Sequence, residues 1–571
     1  MTYTIEKVTT LIGARRYGDN DTNIGFILTD SRSLCFPEET LFFALKSERN
    51  DGHNYIPELY RRGVKNFVVT DVPKGYASDY PGANFLKVVN TLEALQRLAE
   101  RHRDEFNIPI VGITGSNGKT MVKEWLYQLL SPSMFVTRSP RSYNSQIGVP
   151  LSVWLMNEQT QVGVFEAGIS QPGEMLALRD IIQPTIAVLT NVGSAHQENF
   201  SSLEEKCREK LILFHDAETV VYDGDDELIT KVVAEYPDYK GEKLFWSLKN
   251  PEAPFYVKNI EKQQSVSVIT YIYKGEMDSF SIPFIDDASI QNSIISAVVA
   301  LKLGVSAEDI DKRMAKLEPV AMRLEVKVGQ HGCTLINDSY NSDINSLDIA
   351  LDFMNRRPDH RGRRHTLILS DIYQSGLSPE ALYKEVSDLA RKRGVVKFIG
   401  IGPELCQQHD AIQISEKFFF QDVEEFIKSE VFASLRDEVI LLKGARQFGF
   451  DQLTELLVQK VHETTLEVNL NAVVANLNYY RAFMKPETKL VCMIKADGYG
   501  AGAVEIAKTL QDHRVDYLAV AVADEGVTLR KNGITSNIMI MNPEMTAFKT
   551  MFDYDLEPEV YSFRLLDALI K

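Results

Sequence analysis

A glycine-rich segment that ends in a lysine and a threonine is the part of this sequence best suited to chemistry. It reads Gly112-Ile-Thr-Gly-Ser-Asn-Gly-Lys-Thr120, follows an apolar run over 108–113 and precedes a helix-like apolar pattern over 119–130. A strand, a glycine-rich turn and a helix in this order bring backbone N–H groups and a helix N-terminus to a phosphate. Lys119 can then reach the β- and γ-phosphates, and the Thr120 hydroxyl can bind Mg²⁺. We predict that the chain binds a nucleoside triphosphate here.

The glycine spacing differs from that of the standard phosphate loop. Counted back from Lys119, the first glycine should fall at Ile113, whereas Gly112 and Gly115 are present instead. The alternative is a glycine-rich turn before an ordinary core helix. The Gly-Lys-Thr sequence in a strand-to-helix context favours phosphate binding over that alternative.

Polar residues follow two more predicted strands. Glu166 ends the strand over 162–165, while Thr190-Asn-Val-Gly193 and then His196 follow the strand over 185–189. The carboxyl ends of parallel strands open on one edge of a sheet, where ligands bind. A carboxylate and an imidazole at this edge can hold a second divalent ion. Taken singly, Glu166 can instead cap a helix, and His196 can be a surface loop residue.

The composition is that of a large globular protein. The chain has 571 residues, 44% hydrophobic and 25% charged, which suggests three to five domains. The net charge of −17 argues against a nucleic-acid partner. The N-terminus has no apolar signal core, no run approaches a membrane span, and the five cysteines show no paired spacing. We therefore expect a cytoplasmic protein without a membrane partner.

The chain divides into four predicted regions, 1–106, 107–317, 318–462 and 463–571. The first mixes short strands with helices and ends in a polar helix over 92–106. The second and third alternate strands with helices, which indicates parallel sheets with crossover helices. The last begins a new series of strands and helices. The junction near 462–464 has no Gly/Ser or Pro run, so we expect the last region to be closely coupled to the others.

Several motifs together resemble the Mur ligase family, which builds the peptide stem of bacterial cell-wall precursors. They are Gly112 to Thr120, Glu166-Ala-Gly and Thr190 to His196, with Thr29-Asp-Ser-Arg32 in the first region. The resemblance spans residues 1–461. It implies an α/β protein of three domains: an α/β UDP-sugar-binding domain, a P-loop parallel-sheet ATP-binding domain and a Rossmann-like C-terminal domain.

The third region resembles those family members that take D-alanyl-D-alanine. Asn337-Asp-Ser-Tyr-Asn341 and Lys443-Gly-Ala-Arg446 carry this resemblance. It implies ATP-dependent ligation of that dipeptide to UDP-N-acetylmuramoyl-tripeptide through an acyl phosphate, in peptidoglycan synthesis. The sequence departs from the family pattern at three places. It keeps only Asn144 of an Asn-rich segment. It has Ala288-Ser289 where the family has His-Asn, and Asp343-Ile344 where the family has Asn-Pro.

The resemblance also implies a role for each matching residue. The expected catalytic residues of the ligase are Lys119, Lys210 and His196, and the expected metal ligands are Thr120, Glu166, His196 and Lys210. The expected ATP-binding residues are Gly115, Ser116, Asn117, Gly118, Lys119, Thr120, Asn292, Arg323 and Asp338. The expected substrate-binding residues are Ser31, Arg32, Asn144, Tyr340 and Asn341. In the family, a lysine carbamylated by CO₂ bridges the metals; the resemblance selects Lys210 for this role, and we interpret Lys206 as a solvated helix charge.

The last region carries a second chemistry. Lys495 follows a predicted strand over 490–494, and a partly desolvated lysine at the end of a barrel's first strand is suited to hold pyridoxal phosphate. The segment Ile494-Lys-Ala-Asp-Gly-Tyr-Gly500 resembles the N-terminal part of the alanine racemases. That resemblance implies Lys495 as the catalytic, cofactor-holding lysine and Tyr499 as a contact of the cofactor phosphate.

The racemase-like region covers only the beginning of a TIM-type barrel. A complete barrel takes about 250 residues, and we expect about three βα units before Lys571. We interpret the chain as a fragment of a longer bifunctional protein, a vestigial racemase being the alternative. Racemase activity, and dimerisation through this region, are expected only in a longer chain.

Two other function classes stay open at this point. One is another amide ligase of the same type, acting at the tripeptide stage or on folylpolyglutamate. The other is a cell-wall scaffold without turnover. The segment Asp338-Ser-Tyr-Asn341 and the racemase-like region count against the first, and the intact Lys119, Thr120, Glu166 and His196 count against the second.

Overall fold

The computed structural model describes most of residues 2–570. The residues outside the description are 35, 48–49, 141, 194–196, 236–238, 264, 319, 321–323, 340–341, 357–361, 374–376, 460–465 and 486, together with the side chains of 197, 345, 356 and 446. Among the described residues, no helix is both long and apolar enough to cross a membrane.

The N-terminal domain is built on a five-stranded sheet. Its elements are β1 (Tyr3–Thr4), α1 (Ile5–Ile12), β2 (Arg15–Tyr17), β3 (Asn23–Ile24), β4 (Phe26–Leu28), β5 (Thr40–Phe43), α2 (Ile56–Arg61), β6 (Asn66–Val69), α3 (Tyr76–Asp79), β7 (Asn84–Lys87) and α4 (Thr91–Arg103). The sheet order is β2-β7-β6-β5-β4, and only β2 runs antiparallel. The polar helix expected over 92–106 is α4.

The central domain has a six-stranded, fully parallel sheet of order β13-β12-β11-β8-β10-β9. Its strands and connecting helices are β8 (Ile110–Thr114), α5 (Lys119–Leu130), β9 (Val136–Arg138), α6 (Gly148–Val153), β10 (Val162–Glu166), α7 (Glu174–Ile182), β11 (Ile186–Leu189), α8 (Leu203–Leu211), β12 (Thr219–Val221), α9 (Glu227–Ala234) and β13 (Glu242–Lys243). The predicted parallel sheet with crossover helices is confirmed over this span. Buried apolar residues cover both faces of this sheet.

A second, mostly antiparallel sheet of order β14-β15-β16-β17 follows in the central domain, where the sequence had predicted further alternation of strands and helices. Its strands are β14 (Trp246–Ser247), β15 (Phe255–Lys262), β16 (Ser267–Tyr273) and β17 (Glu276–Ile282), followed by α10 (Asp287–Lys302) and α11 (Ala307–Met314). Lys274 and Gly275 join β16 to β17, both with positive φ, as in a tight hairpin turn.

The third domain has a six-stranded sheet of order β18-β19-β23-β20-β21-β22 with one antiparallel edge strand, β18. Its elements are β18 (Glu325–Val328), β19 (Thr334–Asp338), α12 (Ile344–Arg356), β20 (Arg364–Ser370), α13 (Pro379–Lys392), β21 (Lys397–Ile401), α14 (Pro403–Gln407), β22 (Glu416–Phe420), α15 (Val423–Ile427), α16 (Glu430–Ala433), β23 (Glu438–Lys443) and α17 (Phe450–Leu457). This is the Rossmann-like arrangement that was expected.

The tail domain, residues 466–570, has four parallel strands in the order β24-β25-β26-β27, one βα unit more than expected. Its elements are α18 (Leu470–Arg481), β24 (Val491–Met493), the turn α19 (Lys495–Gly500), α20 (Ala503–Asp512), β25 (Tyr517–Val520), α21 (Ala523–Lys531), β26 (Asn537–Ile540), α22 (Phe548–Asp553), β27 (Glu557–Pro558) and α23 (Phe563–Ile570). The junction over 460–465 lies outside the described residues.

Candidate functional site

The glycine-rich loop between β8 and α5 requires glycine at two positions. Gly115 has φ +146° and Gly118 has φ +83°, both unfavourable for other residues. A Cβ on Gly115 would lie 1.9 Å from Thr190 Oγ1, and a Cβ on Gly118 would lie 2.5 Å from Asn292 Oδ1. The loop backbone is therefore packed directly against β11 and α10, which explains glycine at these two points.

Hydrogen bonds hold the loop against the end of β11. The Ser116 amide donates to Asn191 O over 2.9 Å, and the Asn117 amide donates to Asn191 Oδ1 over 2.9 Å. The Gly193 amide donates to Ser116 Oγ over 2.8 Å. The polar segment after β11 thus fixes the shape of the loop, and α5 begins at Lys119 with its first-turn amides at the cavity.

A cavity of about 290 Å³ opens in front of this loop, between the central and third domains. The predicted residues that line it are Gly115, Ser116, Asn117, Gly118, Lys119, Thr120, Asn144, Lys210, Asn292 and Asp338. Ser31 and Arg32 are not among the described lining residues; Arg32 is exposed in the N-terminal domain and pairs with Asp30 over 2.7 Å. The predicted residues His196, Arg323, Tyr340 and Asn341 lie outside the described residues.

A buried carboxylate lies beside the first turn of α5. Glu166, at the end of β10, is fully buried, and its Oε2 accepts hydrogen bonds from Thr120 Oγ1 over 3.1 Å and from Asn144 Nδ2 over 3.4 Å. Thr120 Oγ1 also lies 3.2 Å from Ser142 Oγ. This carboxylate and hydroxyl set offers hard oxygen ligands of the kind that Mg²⁺ prefers, so the residues fit that ion.

Three lysines donate hydrogen bonds to backbone carbonyls of the glycine-rich loop and of the segment after β11. Lys119 Nζ donates to Gly115 O over 2.7 Å and Lys210 Nζ donates to the same oxygen over 3.1 Å, while Lys206 Nζ donates to Gly193 O. Lys206 is buried, so its interpretation as a solvated helix charge was wrong. It lies one helical turn before Lys210 in α8, and the two therefore face inward together.

The two lysines of α8 both have a lowered pKa. Burial, followed by the positive charges of Lys119 and Lys206, holds the pKa of Lys210 well below its usual value. Burial also lowers the pKa of Lys206 to about 8, with Asp343 opposing that shift. A lowered pKa increases the unprotonated fraction of an amine, which is the form of lysine that can react as a nucleophile.

The third domain contributes a buried ion pair to the cavity. Lys443 Nζ lies 2.8 Å from Asp338 Oδ2, at the ends of the paired strands β23 and β19. Both residues are buried and both line the cavity. Lys443 had not been assigned a role from the sequence, although its Lys-Gly-Ala-Arg motif was one of the segments that carried the family resemblance.

Comparison with known families agrees with this geometry. The model of the Mur ligase middle domain matches residues 113–300, and the model of the alanine racemase N-terminal domain matches residues 468–571. The central domain therefore matches the Mur ligase family over residues 113–300. The tail domain is an alanine racemase N-terminal domain, as the sequence had predicted.

Similar ligases are known from several bacteria. UDP-N-acetylmuramoyl-tripeptide–D-alanyl-D-alanine ligase of Bacillus subtilis (strain 168) is 28% identical over 371 residues, covering 64% of this chain and 77% of that protein. The enzyme of the same name from Borreliella burgdorferi is 26% identical over 448 residues, covering 76% and 93%. This chain therefore matches proteins of that name over most of their length.

Solved structures show the same fold. MurF from Acinetobacter baumannii superposes with a TM-score of 0.69 at 22% identity, covering 80% of this chain and 99% of that one. MurF ligase from Thermotoga maritima, solved in complex with ADP, superposes with a TM-score of 0.64 at 23% identity, covering 75% and 96%. The three-domain Mur ligase fold expected from the sequence is confirmed.

Lys495 in the tail domain begins a turn of unusual backbone. The next four residues, Ala496 to Tyr499, have φ between +51° and +63°, so the chain makes a left-handed turn at the end of β24. Lys495 and Tyr499 are exposed, with Tyr499 65% exposed, so the partial desolvation expected for Lys495 is not observed. The amine nevertheless stands at the carboxyl end of the first strand, where barrel enzymes place catalytic residues.

Proposed function

We propose that this Mur ligase joins D-alanyl-D-alanine to UDP-N-acetylmuramoyl-tripeptide at the expense of ATP, in peptidoglycan precursor synthesis. The observation that carries the proposal is the single cavity that contains the glycine-rich loop, Lys210, Asp338 and Lys443, drawn from two domains. The relatives named for this reaction match the chain across both domains. The loop lysine Lys119, together with the buried Glu166 carboxylate beside Thr120, favours a ligase with turnover over a binding scaffold.

The proposed mechanism follows from the negative charge of the substrate carboxylate and of the phosphoryl group that is transferred. A carboxylate is a poor electrophile, so the γ-phosphoryl group of ATP is first transferred to it and ADP leaves. The amine of the dipeptide then attacks the acyl carbon of the acyl phosphate, and the amide forms with release of inorganic phosphate and a proton. Catalysis of such a transfer is mainly positioning and stabilisation of negative charge. Lys119 supplies a cation at the transferring phosphoryl group, and Thr120 and Glu166 would hold Mg²⁺. Bound Mg²⁺ would neutralise charge on the phosphate oxygens.

The remaining expected residues receive positioning roles in this proposal. Asn292, Asp338 and Arg323 would hold the nucleotide, and His196 and a carbamylated Lys210 would complete the metal ligands. The expected substrate contacts stay those assigned by resemblance, namely Ser31, Arg32, Asn144, Tyr340 and Asn341. Because the third domain contributes Asp338 and Lys443 to a cavity of the central domain, closure of the two domains would complete the site.

Amine-dependent phosphate release tests the substrate. The full chain is incubated with ATP, Mg²⁺ and one pair of acceptor and amine at a time: UDP-N-acetylmuramoyl-tripeptide with D-alanyl-D-alanine or L-alanyl-L-alanine, the muramoyl precursor one residue shorter with a free diamino acid, or a folate with glutamate. We expect phosphate release with D-alanyl-D-alanine only. Release with the free diamino acid or with glutamate, but not with the dipeptide, would reassign the chain to the tripeptide stage or to folylpolyglutamate chemistry. A lack of release with every amine would favour the scaffold.

We also propose that Lys495 is the attachment point for pyridoxal phosphate in the tail domain, with Tyr499 toward the cofactor phosphate. Pyridoxal phosphate, when bound, supplies an electron sink for the α-carbon of an amino acid. The described sheet provides four parallel strands, and an eight-stranded barrel is needed to surround such a site. Racemase activity is accordingly proposed only for a chain that carries the complete barrel.

Absorbance of the bound cofactor tests this assignment without relying on racemase activity. In a chain with the complete barrel, Lys495→Ala should abolish the absorbance of covalently bound pyridoxal phosphate, because it removes the amine at the carboxyl end of β24. Lys489→Ala is the matched control, since Lys489 is exposed just before the opposite end of β24. Equal loss in both variants, or full absorbance in Lys495→Ala, would contradict the assignment.

A further inference from the structure

The tail domain contacts the ligase at the end of helix α20. Asp512 Oδ1 lies 3.5 Å from Arg138 Nη1 of the central domain. Gln511, its neighbour in α20, donates from Nε2 to the Tyr127 hydroxyl over 3.4 Å. The two domains are therefore joined by polar groups of defined geometry rather than by an apolar surface alone.

Arg138 holds a second carboxylate on the ligase side. Its Nε donates to Glu124 Oε2 over 3.1 Å, and its guanidinium lies 3.6 Å from the centre of the Tyr127 ring. The Arg138 side chain is only 19% exposed. Arg138 is therefore fixed between Glu124 of its own domain and Asp512 of the tail domain.

The contacts continue inward from Glu124 to the candidate metal site. Lys123 Nζ lies 2.9 Å from Glu124 Oε1 and 3.1 Å from Glu166 Oε1, and the side chains of Lys123 and Glu166 are both fully buried. Burial would raise the pKa of Glu124, but Arg138 and Lys123 outweigh it and lower that pKa, so Glu124 carries a negative charge. The other oxygen of Glu166 accepts the hydrogen bond of Thr120.

We propose that this row of alternating charges, Asp512, Arg138, Glu124, Lys123 and Glu166, couples docking of the racemase domain to metal–nucleotide binding in the ligase. Arg138 and Lys123 act as positioning residues. The proposal rests on the proposed function in one respect, the assignment of Glu166 as a metal ligand.

The coupling follows from how each charge is shared. Asp512 and Glu124 compete for the guanidinium of Arg138. The Arg138–Glu124 attraction is therefore weaker, and Glu124 interacts more strongly with Lys123. Lys123 is then held away from Glu166, whose negative charge stays available to a cation. Without Asp512, Arg138 interacts more strongly with Glu124, and Lys123 interacts more strongly with Glu166. Metal binding at Glu166 is then weakened. Because coupling between two sites is reciprocal, metal–nucleotide binding also strengthens docking of the tail domain.

The test compares two charge-neutralising changes in one helix of the full chain. Asp512→Asn removes the contact, whereas Glu505→Gln removes an exposed carboxylate from the same helix α20. Binding of Mn²⁺ together with a non-hydrolysable ATP analogue is measured by titration calorimetry. Asp512 is 45% exposed, so the effect of its ion pair is modest. We expect about two- to fivefold weaker binding in Asp512→Asn and wild-type binding in Glu505→Gln.

A double-mutant cycle shows whether the effect passes through Arg138. In an Arg138→Gln background, Asp512→Asn should cause no further loss of metal–nucleotide binding. Equal binding in Asp512→Asn and Glu505→Gln would overturn the proposal, as would an undiminished effect of Asp512→Asn in the Arg138→Gln background. If the wild-type chain binds no metal–nucleotide, it is the proposed function that fails.

Discussion

Lys119→Ala is expected to lower the rate of amine-dependent phosphate release by a factor on the order of 10²–10³, the usual loss for one preorganised contact to developing charge. The lysine stands at the start of α5, and its Nζ already lies within the loop, 2.7 Å from Gly115 O and 3.1 Å from Ser116 O. A phosphate bound in the cavity would replace these two carbonyl oxygens as the hydrogen-bond acceptor of Lys119. The alanine variant keeps every glycine of the loop and should fold normally.

The rate is measured by phosphate release with saturating dipeptide, and the fold is checked by thermal unfolding. Lys258→Ala is the matched control, because Lys258 is an exposed lysine of the same domain, on β15. It should keep the wild-type rate. If Lys119→Ala retains half of the wild-type rate, Lys119 does not contact the transferring group.

The sequence predicted the core of this site because its signals are local. The bounds of α5, Lys119 to Leu130, match the predicted helix, and β10 ends at Glu166 as expected. The positions of Gly115 and Gly118 follow from the turn that joins β8 to α5, which needs positive φ at both. Strand ends, turns and amphipathic helices depend mostly on neighbouring residues, and a single sequence contains that information.

Contacts between distant segments could not be predicted in this way. Asp338 and Lys443 pair across 105 residues, and Asp512 reaches Arg138 across the domain boundary. Their partners are set by the order of the strands and by domain docking, which no local pattern encodes. Lys206 differs, because a signal was present: it is four residues from Lys210, and the two share the buried face of α8 while Glu204 and Arg208 face outward.

The antiparallel sheet of the central domain was also predictable but was missed. Buried and partly exposed residues alternate along β16, from Ser267 to Tyr271, as in a strand with one face on the core. Lys274-Gly275 then supplies the two-residue turn to β17. The prediction of alternating strands and helices was extended from the rest of the domain to this segment, and the period-two pattern of β16 was overlooked.

Lys210→Ala is expected to abolish most of the ligase activity, and for a different reason from Lys119→Ala. A bare Lys210 ammonium in the cavity would repel the metal, whereas a carbamate on Lys210 would bind it. Burial and the charges of Lys119 and Lys206 hold the pKa of Lys210 well below its usual value, which favours the unprotonated amine. The amine nitrogen can then bond to the carbon of CO₂ and release its proton, which leaves an anionic carbamate.

Chemical rescue separates a lost carbamate from a lost cation. Short carboxylates such as acetate or formate should restore part of the activity of Lys210→Ala, because they can occupy the space of the carbamate and bind the metal. The same salts should not rescue Lys119→Ala, where a positive charge is missing. The wild-type enzyme should lose activity in CO₂-depleted buffer and regain it when bicarbonate is added. Full activity without CO₂, together with an unmodified Lys210 in a crystal structure, would show that the lysine acts as a plain amine.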